Sequence, residues 1–381
     1  MKIIKGGVTA AKGFRANGMA CGIKRSGKKD LALIYCDVPA RTAAVFTKNT
    51  IKAAPLIISQ KHLQNNRTQA VIVNSGNANC FTGSFGLLYA KKSTELVGKL
   101  MGISHEDVLV TSTGIIGKPL PYKKIEKAAA ELVEGLDPSF RNGKKAAEAI
   151  LTTDTVTKEV AVQLTLGGKR VTLGACAKGS GMIQPDMATM LAFITTDAVI
   201  SVSLLKLALK KVTEWSFNRI TVDGCMSTND MVTLMASGLA QNQAVTKQGK
   251  DFSKFCEALN FVCLDLAKKI VLDGEGATKF IEVMVKGAAS EEQAKKTCFT
   301  ISNSNLVKTA AYGSNPNWGR VAAAVGSLGL PVTEKRLKIN LSSFKKRHIC
   351  IGVDLNLGNS CATVYTSDLS LDYVRINGKY N

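Results

Sequence analysis

The stretch from Lys178 to Ala198, near the middle of the 381-residue chain, has residue types and spacing that could do chemistry. Gly179, Gly181 and Pro185 make a constrained loop. Glycine opens backbone conformations that other residues disfavour, and proline fixes φ and removes a donor. The loop runs into Met190–Ile194, which is too apolar to be exposed, and Thr189 stands at the junction. A hydroxyl held rigidly at such a point could act as a nucleophile. Composition alone fits equally a loop entering a core strand, with Thr189 structural.

Three other clusters could serve a site. Val108-Leu109-Val110 leads into Thr111-Ser112-Thr113-Gly114-Ile115-Ile116-Gly117-Lys118-Pro119. A phosphate loop places four residues between its glycine and the Gly-Lys pair, followed by Ser or Thr. Here two intervene and Pro119 follows, so nucleotide binding by that route is excluded. Thr152-Thr153-Asp154-Thr155 is a dense hydroxyl cluster, and threonine and aspartate also serve as caps and turns. Ser75-Gly76-Asn77-Ala78-Asn79-Cys80 is a small polar loop of the kind that presents backbone groups to ligands.

Other chemistries find little support. The three histidines, His62, His105 and His348, lie far apart in sequence, and no metal site is expected. None of the ten cysteines forms a C-x-x-C pair, and several sit in or beside apolar runs, which reads as reduced thiols in a cytosolic protein. The net charge of +21 could attract anionic substrates or nucleic acid. The lysines are scattered in pairs such as Lys28-Lys29 and Lys210-Lys211, without an RNP-type motif or zinc-finger spacing. Solvated helix faces explain them better than a nucleic-acid partner. No h-region, presequence or long apolar span is present, so the protein is expected to be soluble and cytoplasmic, without a membrane partner.

The elements that must position these residues alternate along the chain. Asp30–Ile34, Thr42–Phe46 and Ala70–Asn74 read as strands bounded by turn signals. Gly86–Met101, Pro121–Leu136 and Gly143–Leu151 have helical periods. Val160–Leu166 and Val171–Leu173 flank Gly167-Gly168, a hairpin signal. Ser201–Trp215 is helical, and Ile220–Asp223 enters the polar turn Gly224–Asp230, expected to cap the next helix. Phe252–Leu272 is a long helix. Lys279–Val285 is a strand, Ser290–Lys296, Asn305–Ala311 and Gly319–Leu328 are helices, and Ile349–Leu355 and Ala362–Ser367 are late strands. The class is α/β, without the βαβ regularity or G-x-G-x-x-G of a dinucleotide fold.

Several long blocks occur in a recognisable order: Gly7–Phe14, Val73–Asn79, the central stretch, Asp273-Gly274-Glu275-Gly276-Ala277-Thr278-Lys279, and Pro316-Asn317-Trp318-Gly319-Arg320. Across essentially the whole chain the sequence resembles the ornithine acetyltransferases, the ArgJ-type bifunctional glutamate N-acetyltransferases of arginine biosynthesis. The resemblance implies an αββα layered fold and a precursor that cuts itself between Ala188 and Thr189, giving an alpha chain 1–188 and a beta chain 189–381. The Thr189 hydroxyl would attack the preceding carbonyl, and water would release the ester formed by the N→O acyl shift. The new α-amine, with a reference pKa of about 7.7–8.0, is then a base beside its own hydroxyl.

By the same resemblance, Thr189 takes acetyl from N2-acetylornithine, releases ornithine and passes acetyl to glutamate. Thr113 and Gly114 match the oxyanion-hole pair, and Thr152, Lys178, Thr189, Glu275 and Asn377 match the substrate contacts. Lys178 can meet an α-carboxylate and Glu275 an ammonium, while a one-residue slip to Thr153 is open for Thr152. No cofactor is implied. Some members also accept acetyl-CoA as co-substrate, and no motif here separates them from those that only recycle acetyl. Two cleaved protomers commonly form an α2β2 heterotetramer.

The chain departs from the family pattern at three places. Cys225 and Asn315 stand where acidic residues are common. The family usually has a Ser or Thr five residues after the asparagine matching Asn377, whereas the sequence here stops at Asn381. Either that contact is lost, Asn381 or the terminal carboxylate substitutes, or the end is truncated. A hydrolase with an N-terminal nucleophile, as in aminopeptidases of the same fold type, is the competing enzymatic reading.

Overall fold

The computed structural model describes residues 1–184 and 190–379. Ala188, Thr189 and Asn381 lie outside the described residues. The rest divides into two compact units. The larger comprises Met1–Gly179, 190–218 and Met226–Leu266, and the smaller comprises 180–184, Arg219–Cys225 and 267–379.

The larger unit opens with strands β1 (Lys2–Ile4), β2 (Phe14–Met19) and β3 (Leu31–Phe46), helix α1 (Ala54–His62) and strand β4 (Arg67–Asn77). Helix α2 (Gly83–Met101), strand β5 (Val108–Ile115) and helices α3 (Tyr122–Glu134) and α4 (Phe140–Ala149) follow. Next come the hairpin β6 (Lys158–Leu166) and β7 (Lys169–Lys178), then β8 (Leu191–Thr196) and α5 (Val202–Trp215). Strand β9 (Ile220–Thr221) belongs to the smaller unit and β10 (Met231–Ala236) to the larger. The chain passes into the smaller unit within α6 (Lys250–Leu272). There it forms β11 (Phe280–Ala288), α7 (Glu291–Ser302), α8 (Asn305–Tyr312), α9 (Trp318–Gly326), β12 (Lys338–Leu341), β13 (His348–Asp354), β14 (Ser360–Ser367) and α10 (Leu371–Gly378).

The larger unit's sheet has nine strands in the order β1-β6-β7-β8-β10-β3-β4-β5, with β2 also pairing β3. Its central strands bury both faces. On β3, Ala32 and Ile34 join one core with Val71, Val73, Leu109 and helix α4, while Leu31 and Leu33 join the other with Ile72, Val108 and helices α2 and α3. Alternate residues of a strand point to opposite faces, so a strand covered on both sides must be apolar throughout. The smaller unit's sheet runs β12-β13-β11-β14-β9. Ile281, Val283, Val285, Ile349, Ile351 and Val353 share one core with α7, α8 and α9. Sheets lined by helices in both units agree with the α/β class. Among the described residues no helix is long and apolar enough to cross a membrane.

Two expectations change. The strands expected at Asp30–Ile34 and Thr42–Phe46 are two ends of the single strand β3, whose register against β4 shifts between Tyr35 and Ala40. Pro39 falls in that shift, where a residue without an N–H can be accommodated. The polar turn Gly224–Asp230 leads into a strand instead of capping a helix. All six residues of β10 are buried, paired with β8 on one side and β3 on the other. Helix α10, unanticipated from periodicity, is started by Ser370, whose side chain accepts from the Tyr373 N–H.

Candidate active site

The described candidates form two groups, one in each unit. In the larger unit, β5 carries Thr113 and Gly114 to its end, alongside Ser75 and Gly76 of β4 in a parallel register. These residues lie in a paired strand end whose ladder is bulged at Gly76 and Asn77. Gly114 has φ +132° and Gly76 has φ +93°. A Cβ on Gly114 would overlap the backbone of Gly76 and Asn77. Glycine is therefore required for the two backbones to pass this closely.

The polar block Val73–Asn79 braces that end. Ser112 donates to the Asn74 carboxamide oxygen at 2.5 Å, Asn74 Nδ2 donates to the Asn77 carbonyl at 2.9 Å, and Ser75 Oγ donates to the Ala149 carbonyl at 2.5 Å. Asn229 Nδ2 reaches the carbonyls of Ala78 and Ser112 at 2.6 and 2.8 Å. Read from sequence as a ligand-presenting loop, these side chains spend their polar groups on the scaffold. Satisfied in this way, they can be buried without the cost of an unmade hydrogen bond.

Lys178 closes β7 with 6% of its surface exposed, and its Nζ lies 3.5 Å from the Thr113 hydroxyl. Beside it is a residue that motif reading assigned only to turn chemistry. Asp154 accepts from Lys158 Nζ at 2.7 Å, from the Gly179 N–H at 2.8 Å and from the Thr152 N–H at 3.1 Å. Both members of the Asp154–Lys158 pair have fully buried side chains. Burial pushes the Asp154 carboxyl up, but the Lys178 and Lys158 ammonium groups outweigh it and hold the carboxyl below the usual range. One carboxylate thus ties the segment carrying Thr152 to the end of β7 that carries Lys178. Asp230, at the start of β10, is a second buried carboxyl near Lys178, pushed well above the ordinary range by its burial.

In the smaller unit, Glu275 is 7% exposed and its Oε2 accepts from Asn377 Nδ2 of α10 at 2.7 Å. Its N–H donates to the Ser180 carbonyl at 3.2 Å. A Cβ on Gly181 would overlap the Glu275 carboxylate, so glycine there leaves room for the charge. Ser180 at φ +91° and Met182 at φ +58° take a conformation that side chains rarely adopt. Asp223 holds them: it accepts from the N–H groups of Met182 at 2.6 Å, Ile183 at 2.9 Å and Cys225 at 3.1 Å. Tyr373, one turn before Asn377 on α10, donates to the same carboxylate at 3.4 Å. Its hydroxyl is pushed up by burial and by the neighbouring Asp223 charge.

The structure therefore brings Lys178 to Thr113, Thr152 to Asp154, and Glu275 to Asn377. Asp154, Lys158, Asp223 and Tyr373 escaped motif reading. The only signals for them were the i, i+4 spacing of Asp154 and Lys158 and the Asp-Gly turn at Asp223-Gly224.

The ArgJ family model matches residues 15–381. The chain belongs to the ArgJ family. Among curated relatives, the arginine biosynthesis bifunctional protein ArgJ of Oceanobacillus iheyensis is 44% identical, with 100% of this chain and 98% of that protein aligned. The protein of the same name from Geobacillus kaustophilus is 46% identical over 99% of this chain and 97% of its own. A crystal structure of ornithine acetyltransferase complexed with ornithine, from Mycobacterium tuberculosis, is 40% identical over 49% of this chain and 97% of that one, with TM-score 0.48.

Proposed function

We propose that this chain is an acetyltransferase of arginine biosynthesis, moving acetyl from N2-acetylornithine to glutamate and yielding ornithine and N-acetylglutamate. The observation that carries this reading is full-length identity of 44–46% to curated ArgJ proteins. Their description as bifunctional proteins of arginine biosynthesis favours acetyl transfer over the hydrolase alternative.

In the proposed cycle the chain cuts itself between Ala188 and Thr189, and Thr189 becomes the N-terminal nucleophile of the 189–381 chain. Its α-amine takes the hydroxyl proton as the hydroxyl attacks the acetyl carbonyl, and ornithine leaves. Glutamate then attacks the acetyl-threonine ester. The Thr113 hydroxyl and Gly114 N–H are the proposed oxyanion donors, each worth about 2.7–4 kcal/mol in such a role. The close pairing of Gly114 with Gly76 supports a fixed position for that N–H. Lys178 is assigned to an α-carboxylate and Glu275, steadied by Asn377, to an ammonium. Thr152 is assigned to substrate through the segment that Asp154 fastens.

Strand pairing supports lasting association of the cleavage products. β8, from the downstream product, pairs with β7 of the upstream one, and β10 pairs with β3 in the same sense. The products are expected to separate only on denaturation, and two such pairs would make the α2β2 heterotetramer. Ten cysteines without a disulfide support a reducing compartment, and the cytoplasm is the proposed location. No cofactor is assigned, and acetyl-CoA use is a question for assay.

Incubation with N2-acetylornithine, with and without glutamate, tests the reaction. Ornithine release should depend on glutamate, and release indifferent to glutamate would sink the transferase reading. Mass spectrometry should find a chain beginning at Thr189, and Thr189→Ala should stay whole and inactive. A fully active wild type running as one uncut band would refute the nucleophile assignment.

A further inference from the structure

The sheet of the smaller unit gathers three metal-ligating side chains that the acetyl transfer does not use. β11 and β13 pair in parallel with Phe280 opposite His348 and Glu282 opposite Cys350. His348 and Cys350 are two residues apart on one strand, so they share a face, and the register sets Glu282 beside them on the same face. His348 Nε2 lies 3.3 Å from Glu282 Oε2 and 3.9 Å from Cys350 Sγ, and the three donor atoms all lie within 4.8 Å of one another.

We propose that Glu282, His348 and Cys350 form a binding site for a zinc-like divalent cation. With metal–ligand distances of about 2.0–2.3 Å, a tetrahedral site separates its donors by roughly 3.3–3.6 Å. The observed spacings approach that without any backbone movement. One sulfur, one imidazole nitrogen and one carboxylate oxygen make a donor set that suits a borderline-soft metal and not calcium or magnesium. All three stand on paired strands, which hold geometry better than loops. Two neighbours restrict them further: the Cys350 N–H donates to Ser342 Oγ at 2.8 Å, and Phe280 packs edge-on against the His348 ring at 5.1 Å between centroids. Half of the His348 side chain is exposed, so an ion has access from solvent. On binding, the Cys350 thiol gives its proton to solvent as the metal–sulfur bond forms, the imidazole and carboxylate add as lone-pair donors, and water completes the shell.

The test uses untagged, full-length, chelator-treated protein titrated with Zn2+ against a chromogenic chelator, and separately with Co2+. One equivalent of Zn2+ should bind, and Co2+ should give a near-ultraviolet thiolate charge-transfer band. The band should vanish in Cys350→Ser and persist in Cys361→Ser, which alters an exposed control thiol. His348→Gln and Glu282→Gln should each weaken Zn2+ binding at least about tenfold, since even outer-shell changes cost that much. Unchanged stoichiometry and affinity in Cys350→Ser and His348→Gln would overturn the proposal and leave a plain ion pair beside a thiol. Should Cys350→Ser fail to fold, His348→Gln at its exposed position decides the matter alone.

Discussion

In the larger unit, neighbouring residues of one strand enter two different cores: Leu33 packs under α2 and α3, and Ile34 packs against α4. In the smaller unit the same alternation separates core from solvent. Val283 is fully buried on β11, while Met284 beside it is 42% exposed. The two sheets therefore treat charge differently. In the larger unit the buried Lys158 ammonium at the start of β6 is neutralised within the protein by Asp154. Where one face is open, Glu282, His348 and Cys350 can share it with water.

The largest effect expected from this contrast is at Asp154. Asp154→Ala takes the carboxylate away from the fully buried Lys158 ammonium and should cost about 3–5 kcal/mol, read by denaturant unfolding, with loss of acetyl transfer. A near-neutral result would show that the larger unit tolerates a buried ammonium without its carboxylate neighbour after all. Next, Leu33→Ala and Ile34→Ala should each cost about 2–5 kcal/mol, as should Ile351→Ala on the covered face of the smaller sheet. Met284→Ala should stay within about 0.5 kcal/mol. Equal losses at Met284 and Ile351 would break the distinction between the sheets.

A smaller effect sharpens the site itself. Asn377→Ala removes the donor to Glu275, an interaction of a kind worth about 1.5–3 kcal/mol when one partner is charged. It should lower kcat/KM for N2-acetylornithine about tenfold or more with little change in unfolding midpoint. A shifted midpoint with intact kinetics would make the pair structural.

A last expected effect depends on pH. Lys308 of the smaller unit is buried and donates to Thr366 Oγ1 and the Ser367 carbonyl. Burial pushes its ammonium down from 10.5 to about 8. Between pH 8 and 10.5 the unfolded chain holds a proton that the folded chain has released, so stability from this group rises with pH across that window. The stability difference between wild type and Lys308→Met, followed from pH 7 to 10.5, should move in favour of the wild type. A flat difference would mean that the lysine keeps its charge in the fold.

Much of this was legible in the chain. The hairpin at Gly167-Gly168, the helices at Gly86–Met101 and Phe252–Leu272, and the buried strand after Thr189 all follow from period, turn residues and apolar runs, because these are local properties. Blocks such as Val73–Asn79 and Asp273–Lys279 carried the resemblance that family comparison bears out. What local pattern missed is equally specific. Met231–Ala236 follows a polar, cap-like turn, yet pairing with β8 and β3 makes it a strand. Asn377 lies beyond the last strand read from the chain, yet a helix started by Ser370 brings it to Glu275.

The sequence by itself determined the family, many of the elements and the candidate residues, since motifs and periodicities are written in neighbouring positions. Only the tertiary structure decided which distant residues support them: Asp154 on Gly179 and Lys158, Asp223 on Met182 and Ile183, Gly114 against Gly76, and Glu282 beside His348 and Cys350. Such pairings depend on strand register and on which face is covered, and a one-residue slip in a strand would reverse both.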